Sequence, residues 1–172
     1  VLFCSKLIIA DNNRKNGLND IKSVFWIREK LLRKLSFAKR EKKLRIIISR
    51  KDASSRVIKN EEKLASRLAR YGFTTICLSD FAFSKQVEIF FNCEIVVAPH
   101  GAGLSNMIFM ENKVGVVEIH QEDKINPCYA ILANQLNYAY LSLEAKTVKK
   151  NLIIESLHIE KIENWIKRIF TK

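Results

Sequence analysis

The stretch IVVAPHGAGLSN, residues 95–106, joins an apolar run to a loop that is rich in glycine. The chain has only five glycines and two prolines in 172 residues, yet two of the glycines and one proline lie here around His100. IVVA is apolar without alternation, which is typical of a strand covered on both faces of a parallel sheet. Pro99 predicts a turn, and we expect a helix to begin near Leu104 or Ser105. The stretch therefore predicts a strand, a tight turn and a helix.

Strand-like and helix-like segments alternate along the rest of the chain. We predict main strands at 44–49, 73–78, 94–98, 114–119 and 138–143, with shorter extended segments at 7–9 and 151–155. We predict helices at 21–40, 60–71, 84–92, 104–110, 127–137 and 156–170. This order predicts an α/β fold, with a Rossmann-like parallel sheet and helices on both faces. Ligands of such sheets bind beyond the carboxyl ends of the strands, so the loops after residues 49, 98 and 119 are the candidate sites.

Composition and charge narrow the class of protein. With 48% hydrophobic and 28% charged residues, the sequence is typical of a globular domain, and its length fits one domain. Residues 1–70 hold a net charge of +13 and residues 71–172 a net charge of −1. The basic residues are not interleaved with aromatic ones as on a base-stacking surface, so we expect no nucleic-acid partner. The basic amphipathic helix predicted at 21–40 is either a solvated surface helix or a face for anionic lipid.

The four cysteines, Cys4, Cys77, Cys93 and Cys128, form no CxxC pair, and we expect them to be reduced core residues. This cysteine usage, together with first residues unlike a signal peptide, favours a cytoplasmic protein. None of the three histidines has HxxxH spacing and no Asp-x-Asp pair occurs, so we expect no metal site and no cofactor.

Two loops at the predicted carboxyl edge of the sheet carry groups that suit a phosphate or diphosphate. Gly101 and Gly103 let the backbone approach a ligand, and N–H groups at the helix start face it. In the loop SRKDASSR, residues 49–56, Arg50 and Arg56 each offer a guanidinium that donates two parallel hydrogen bonds. The alternatives are a tight turn without a ligand and a generally basic surface.

Four further polar residues each have a structural interpretation, and for Glu118 and His100 a ligand-binding interpretation is given beside it. Glu118 lies inside an apolar strand and needs a partner, either a ribose with two adjacent hydroxyls or a nearby Lys or Arg. Asn60 and Glu61 suit the N-cap and first turn of a helix. His100 is either structural, donating to a neighbouring carbonyl, or part of the site.

Two other reaction classes lack a required motif. HGAG, residues 100–103, is similar to the oxyanion loop of esterases, but GLSNM, residues 103–107, lacks the last glycine of the G-x-S-x-G elbow. The phosphate loop G-x-x-x-x-G-K-[ST] is also absent from the sequence.

Three blocks in order, IIISRKDASSRVIKNEEKL, FSKQVEIFFNCEIVVAPHGAGLSNMIFM and VVEI, resemble glycosyltransferase family 61. The resemblance is strongest over residues 44–119. It implies the C-terminal, donor-binding Rossmann-like domain of a GT-B glycosyltransferase, which uses a nucleotide sugar, typically UDP-linked, with inversion and without an obligatory metal. The family usually has a Pro-Gly turn before the VEI strand, which ENKVG at 111–115 replaces here.

The resemblance also assigns site residues. The diphosphate would face the SR pair (Ser49 and Arg50), the second arginine (Arg56) and the HGAG loop (His100, Gly101, Ala102 and Gly103). The family's NE pair corresponds to Asn60 and Glu61. The glutamate of the VEI strand corresponds to Glu118, placed to hold ribose. The catalytic base is unassigned, with His100 as a weak candidate.

We expect residues 1–172 to form one donor-binding domain without an acceptor domain, and therefore to transfer no sugar by itself. The expected partners are a nucleotide-sugar donor, a glycan or lipid-linked acceptor, and a membrane surface at helix 21–40. The alternatives are a non-enzymatic anion- or nucleic-acid-binding module, and an inactive fragment. The location is either cytoplasmic and peripheral to a membrane, or the secretory lumen if a leader is removed.

Overall fold

The computed structural model describes residues 20–35, 43–111 and 113–170. Within these ranges, α-helices alternate with strands in the predicted order. The helices are α1 (Ile21–Leu35), α2 (Glu61–Ala69), α3 (Phe83–Phe91), α4 (Cys128–Gln135) and α5 (Ser156–Phe170), and short 3-10 helices span Leu78–Asp80 and Ala102–Phe109. The strands are β1 (Leu44–Ser49), β2 (Phe73–Cys77), β3 (Cys93–Pro99), β4 (Gly115–Gln121), β5 (Ala139–Val148) and β6 (Asn151–Ile153).

The six strands form one sheet in the order β2-β1-β3-β4-β5-β6. The first five strands in this order are parallel, which confirms the Rossmann-like α/β fold. After β1 the chain moves to β2 on one side, whereas β3 lies on the other side of β1 and leads to β4. The topological switch point, where such sheets bind ligands, therefore lies between the carboxyl ends of β1 and β3.

Alternate strand residues contribute to two apolar layers, one on each face of the sheet. Val96 and Val116 pack in one layer with residues of α3, α4 and the 3-10 helix Ala102–Phe109. Val97 and Val117 pack in the other layer with residues of α2 and α5. This period-two alternation explains why these strands read as continuous apolar runs, and it confirms that helices cover both faces.

The last strand differs from the predicted parallel sheet, because β6 pairs with β5 in the antiparallel direction. The two strands are joined by a turn at Lys149 and Lys150, and a parallel connection needs a crossover of about a dozen residues or more. Both lysines have positive φ, 46° and 68°, as in the tight turns of β-hairpins.

Several predicted boundaries shift. The helix expected from Leu104 or Ser105 is a 3-10 helix that begins at Ala102. α2 ends at Ala69 and not at Tyr71, while β5 extends to Val148 and not to 143. α1 covers 21–35 of the predicted helix 21–40; residues 36–40 and the predicted strand 7–9 lie outside the described residues.

Cys77 and Cys93 are buried free thiols, as expected of core residues, whereas Cys128 is half-buried. Cys4 lies outside the described residues. Among the helices described, none combines the length and apolar character needed to cross a membrane.

Candidate functional site

The loops after β1 and β3 form a crevice at the switch point of the sheet. A small pocket of about 80 Å³ lies between them, lined by Ser49, Arg50 and Asp52 from the first loop and by Pro99 and Gly103 from the second. Sites for whole drug-sized ligands are roughly 300–1,000 Å³. The pocket is therefore large enough for one small group, and the rest of any larger ligand would lie in the open part of the crevice.

Arg50 lies directly against Gly101. A Cβ built on Gly101 would lie 3.2 Å from Arg50 Cζ and closer still to one of the guanidinium nitrogens. The φ of Gly101 is 169°, an extended value that any residue adopts, so the backbone conformation does not require glycine. Glycine at 101 instead leaves the space of a side chain to the Arg50 guanidinium. The guanidinium is held there partly by its Nε, which donates to the Ser55 carbonyl at 3.2 Å.

Arg56 adopts a left-handed backbone conformation with φ of 58°, which is uncommon for a residue other than glycine. Its N–H donates to the Lys150 carbonyl at 2.7 Å, which fixes the turn. Burial and the positive charge of Arg56 both lower the pKa of the Arg50 guanidinium. A bound anion would offset the mutual repulsion of these two cations, so the pair favours an anionic ligand.

The HGAG loop presents backbone donors at the same edge. His100 N–H donates to the Ile119 carbonyl at 2.9 Å, and Leu104 N–H donates to the Gly101 carbonyl at 3.0 Å as the 3-10 helix begins. Within the part of the chain that the structure describes, the N–H groups of Gly101, Ala102 and Gly103 between them have no hydrogen-bond partner. Consecutive unpaired N–H groups are the donors with which loops bind phosphate.

Glu118 is completely buried on β4 and holds His100 beside the crevice. His100 Nδ1 lies 2.5 Å from Glu118 Oε1, and the Tyr140 hydroxyl of β5 donates to Glu118 Oε2. Burial and the hydrogen bond to Glu118 raise the pKa of Tyr140, so the phenol remains the donor. Because Nδ1 is engaged by a carboxylate, Nε2 is the nitrogen of His100 left for a ligand.

The sequence matches the family described as Glycosyltransferase 61 over residues 2–117. This match covers well over half of the chain and includes both crevice loops. The chain belongs to glycosyltransferase family 61. The match also contains the SR and HGAG blocks that carry the family resemblance, and these are the blocks that meet at the switch point.

Two curated relatives of this glycosyltransferase 61 chain share a printed name, EGF domain-specific O-linked N-acetylglucosamine transferase. The Drosophila melanogaster protein is 27% identical over 109 residues, which are 62% of this chain and 21% of the relative. The Gallus gallus protein is 28% identical over 106 residues, which are 58% of this chain and 19% of the relative. The match thus spans about a fifth of the length of these relatives.

Two of the family-motif residues, Asn60 and Ser49, have side chains that form hydrogen bonds within the protein, and a third, Glu61, has a buried oxygen without such a bond. Asn60 Nδ2 donates to the Ile154 carbonyl at 2.7 Å, and Asn60 Oδ1 accepts from Ile154 N–H at 2.9 Å. Asn60 occupies the N-cap position of α2, as predicted, but its side chain makes no cap bond. The side chain joins α2 to the segment after β6 instead. Glu61 has a buried Oε1 without a partner among the described residues. Ser49 Oγ accepts from Lys51 N–H at 3.3 Å. Donor contacts by these three side chains stay predictions.

The sequence analysis missed His120, Tyr140 and Tyr129. His120 lies two residues after Glu118 on β4, so strand alternation alone puts it on the same face. Its ring stacks on His100 at 5.3 Å between centroids, and burial lowers its pKa, which favours the neutral form. Tyr129 of α4 lies 5.5 Å from the His100 ring, again between centroids. Neither tyrosine has a local signal, because each comes from an element distant in sequence.

His100, Glu118 and His120 also form a set of metal-ligand types, with one ligand atom from each within 4.8 Å of the others. Two histidines and a carboxylate are a donor set used by zinc. The Glu118 carboxylate already contacts its neighbours through both oxygens: Oε1 contacts His100 Nδ1, and Oε2 accepts from the Tyr140 hydroxyl and lies 3.5 Å from His120 Nε2. The geometry favours a hydrogen-bonded network at these side chains.

Proposed function

We propose that this chain is the donor-binding domain of a glycosyltransferase of family 61. It would bind a nucleotide sugar, UDP-linked, whose sugar is transferred to a hydroxyl of a glycan or other acceptor. The observation that carries the proposal is the crevice at the switch point, which Arg50 and Gly103 line. Arg56 is near enough to lower the pKa of Arg50, and the N–H groups of residues 101–103 have no hydrogen-bond partner among the described residues. A diphosphate is the ligand that uses both kinds of donor.

The proposed chemistry is displacement at the anomeric carbon, in which negative charge builds on the departing nucleoside diphosphate. Arg50, Arg56 and the N–H groups of the HGAG loop would stabilise that charge with donors that are already in place. This electrostatic role does not require a metal, and we propose that transfer is metal-independent and proceeds with inversion. A general base must also remove the acceptor proton. We leave that base unassigned.

His100 would contribute through the nitrogen that Glu118 leaves free. With Nδ1 fixed on Glu118 Oε1, the ring orientation is set before any ligand arrives. Nε2 could then contact a diphosphate oxygen or the sugar. Glu118 is a positioning residue in this arrangement, and direct contact between its carboxylate and ribose is a second role that we keep as a proposal. The side chain has no exposed surface, so such contact requires the ring of His100 to move.

Calorimetric titration with UDP, UDP-sugars and nucleic acid tests the proposed function. We expect UDP to bind with and without a chelator, and duplex or single-stranded DNA to bind weakly. Failure of every nucleoside diphosphate to bind at millimolar concentration would contradict the proposal. Tight DNA binding with a steep salt dependence would instead establish a nucleic-acid-binding module.

A further inference from the structure

α1 has one face packed on the protein and one that carries large apolar side chains in solvent. Ile21, Val24, Leu31, Leu32 and Leu35 pack against the apolar layer on one face of the sheet. On the outer side, Phe25, Trp26 and Ile27 are 47%, 61% and 42% exposed. Arg28 on the inner side donates from Nη2 to the Met110 carbonyl at 2.9 Å, so the helix is fixed to the domain.

The outer face is also strongly basic. α1 contains five basic residues and one acidic residue, and Glu29 pairs with Arg33 within the helix. At 100° per residue, Lys22, Lys30 and Arg33 lie within about one helical quadrant of Trp26 on the outer face. The Lys30 ammonium lies 5.9 Å from the centroid of the Trp26 ring. An exposed indole is therefore surrounded by long cationic side chains.

We propose that this face of α1, the residues Lys22, Phe25, Trp26, Ile27, Lys30, Arg33 and Lys34, binds the surface of a bilayer that contains anionic lipid. Tryptophan prefers the boundary between headgroups and acyl chains, and lysine and arginine extend from it to the anionic headgroups. A protein partner fits less well, because protein interfaces are depleted in lysine. The positive charge suits anionic headgroups, and the indole suits the boundary between headgroups and acyl chains. The proposal does not depend on donor binding.

Each lysine or arginine near an anionic surface strengthens binding about fivefold, which corresponds to about 1 kcal/mol. Binding through one helix is therefore expected to be weak, reversible and sensitive to salt. The indole should contribute a second, apolar part that salt does not remove.

Intrinsic fluorescence provides the test, because the two tryptophans differ in environment. Trp26 is 61% exposed and Trp165 is 5% exposed, so a blue shift on adding vesicles reports Trp26. We expect this shift, and co-sedimentation, with vesicles of phosphatidylcholine and phosphatidylglycerol at low salt, and much less of both with phosphatidylcholine alone.

Variants separate the proposed surface from general basicity. The double variant Lys22→Glu, Lys30→Glu should weaken partitioning into vesicles at least 25-fold, because each basic residue lost costs about fivefold in binding. Lys161→Glu on α5, which packs on the opposite face of the sheet, is the control and should weaken partitioning far less. All three substitutions are at exposed positions and should leave UDP affinity unchanged.

The proposal would be overturned by no binding to anionic vesicles, by equal loss with the Lys161→Glu control, or by binding without a change in Trp26 fluorescence. Trp26→Ala provides an independent check that does not alter charge. It should keep the salt-sensitive part of binding and lose the part that persists at high salt. Unchanged binding of the Trp26→Ala variant at high salt would also contradict the proposal.

Discussion

The guanidinium of Arg50 occupies the position that a side chain on Gly101 would need. A Cβ at Gly101 would be 3.2 Å from Arg50 Cζ, although the extended φ of 169° would allow any residue. The obstacle is the end of a flexible side chain, so a larger residue at 101 displaces Arg50 and does not break the fold. This relationship links the two loops that the proposed donor site needs.

Gly101→Ala should weaken UDP binding about tenfold, since it moves Arg50 and loses roughly one hydrogen bond to a charged group, about 1.5 kcal/mol. The melting temperature should change little. Gly115→Ala is the matched control: its Cβ would lie 2.9 Å from atoms of the Phe170 ring, and closer still to Trp165. That variant should lose stability and, while folded, keep its UDP affinity. A folded Gly101→Ala variant with parental UDP affinity would exclude Arg50 from the site.

Arg56→Gly should separate function from stability. Glycine adopts the observed φ of 58° without strain, and this gain offsets the greater freedom of the unfolded chain, so we expect stability within about 1 kcal/mol of the parent. UDP affinity should fall about tenfold because a guanidinium is lost. Asn137→Gly, at a φ of 56° after α4, should preserve both. Equal UDP affinity in the two variants would exclude Arg56 from the donor site.

Glu118→Gln should reduce the free energy of unfolding by about 1–2 kcal/mol, because a neutral amide accepts weaker bonds from His100 and Tyr140. Comparing UDP with inorganic diphosphate then distinguishes the two roles proposed for Glu118. If Glu118 acts by orienting His100, affinity for both ligands falls; if it binds ribose, affinity falls for UDP alone.

Tyr140→Phe removes one donor to Glu118 and leaves the contact between Glu118 and His100 in place. The Tyr140→Phe variant should have a lower free energy of unfolding than the parent, and its UDP affinity should change less than that of the Glu118→Gln variant. Parental stability and parental affinity in the Glu118→Gln variant would contradict a role for this network.

The pH dependence of stability should have a component from Glu163 of α5. Burial alone raises the pKa of Glu163, but the hydrogen bonds and charges of Arg67 and Arg70 outweigh it and hold the pKa below its ordinary 4.5. The stabilisation is therefore fully present above pH 4.5 and is lost as pH falls through the lower pKa of the folded state.

Glu163→Gln should remove this acid-range slope and lower the free energy of unfolding at pH 7 by about 1–3 kcal/mol. Glu29→Gln, which removes an exposed pair with Arg33, should change it by less than about 1 kcal/mol. Urea unfolding at several pH values measures both variants, and an unchanged acid slope in Glu163→Gln would contradict this assignment.

The main features of the fold follow from the sequence because each strand covered on both faces reads as an apolar run. The carboxyl ends of parallel strands lie at the same edge of a sheet, so the sequence alone predicts that Arg50 and Gly101 are near each other. Their direct contact depends on β1 and β3 being neighbours, which no local pattern reveals. The antiparallel β6 was missed because Lys149 and Lys150 are not the Asn-Gly type that marks such turns.

The partners of the site's buried groups were less predictable. Glu118 was expected to need a partner, but a lysine, an arginine or a ribose was considered and not a tyrosine from β5. Asn60 was read from its local position before a helix, whereas its amide pairs with Ile154 from the far end of the chain. In both cases the deciding contact joins segments that only the tertiary fold brings together.

Backbone amide NMR during a titration with UDP tests the diphosphate site most directly. The N–H groups of Gly101, Ala102 and Gly103 are unpaired among the described residues, so they should show the largest shifts, together with the side-chain Nε–H of Arg50. The shifts of all four signals should saturate with the same dissociation constant for UDP. If UDP binds but these signals stay in place while others move, the ligand lies elsewhere, and the HGAG loop is only a tight turn between a strand and a helix.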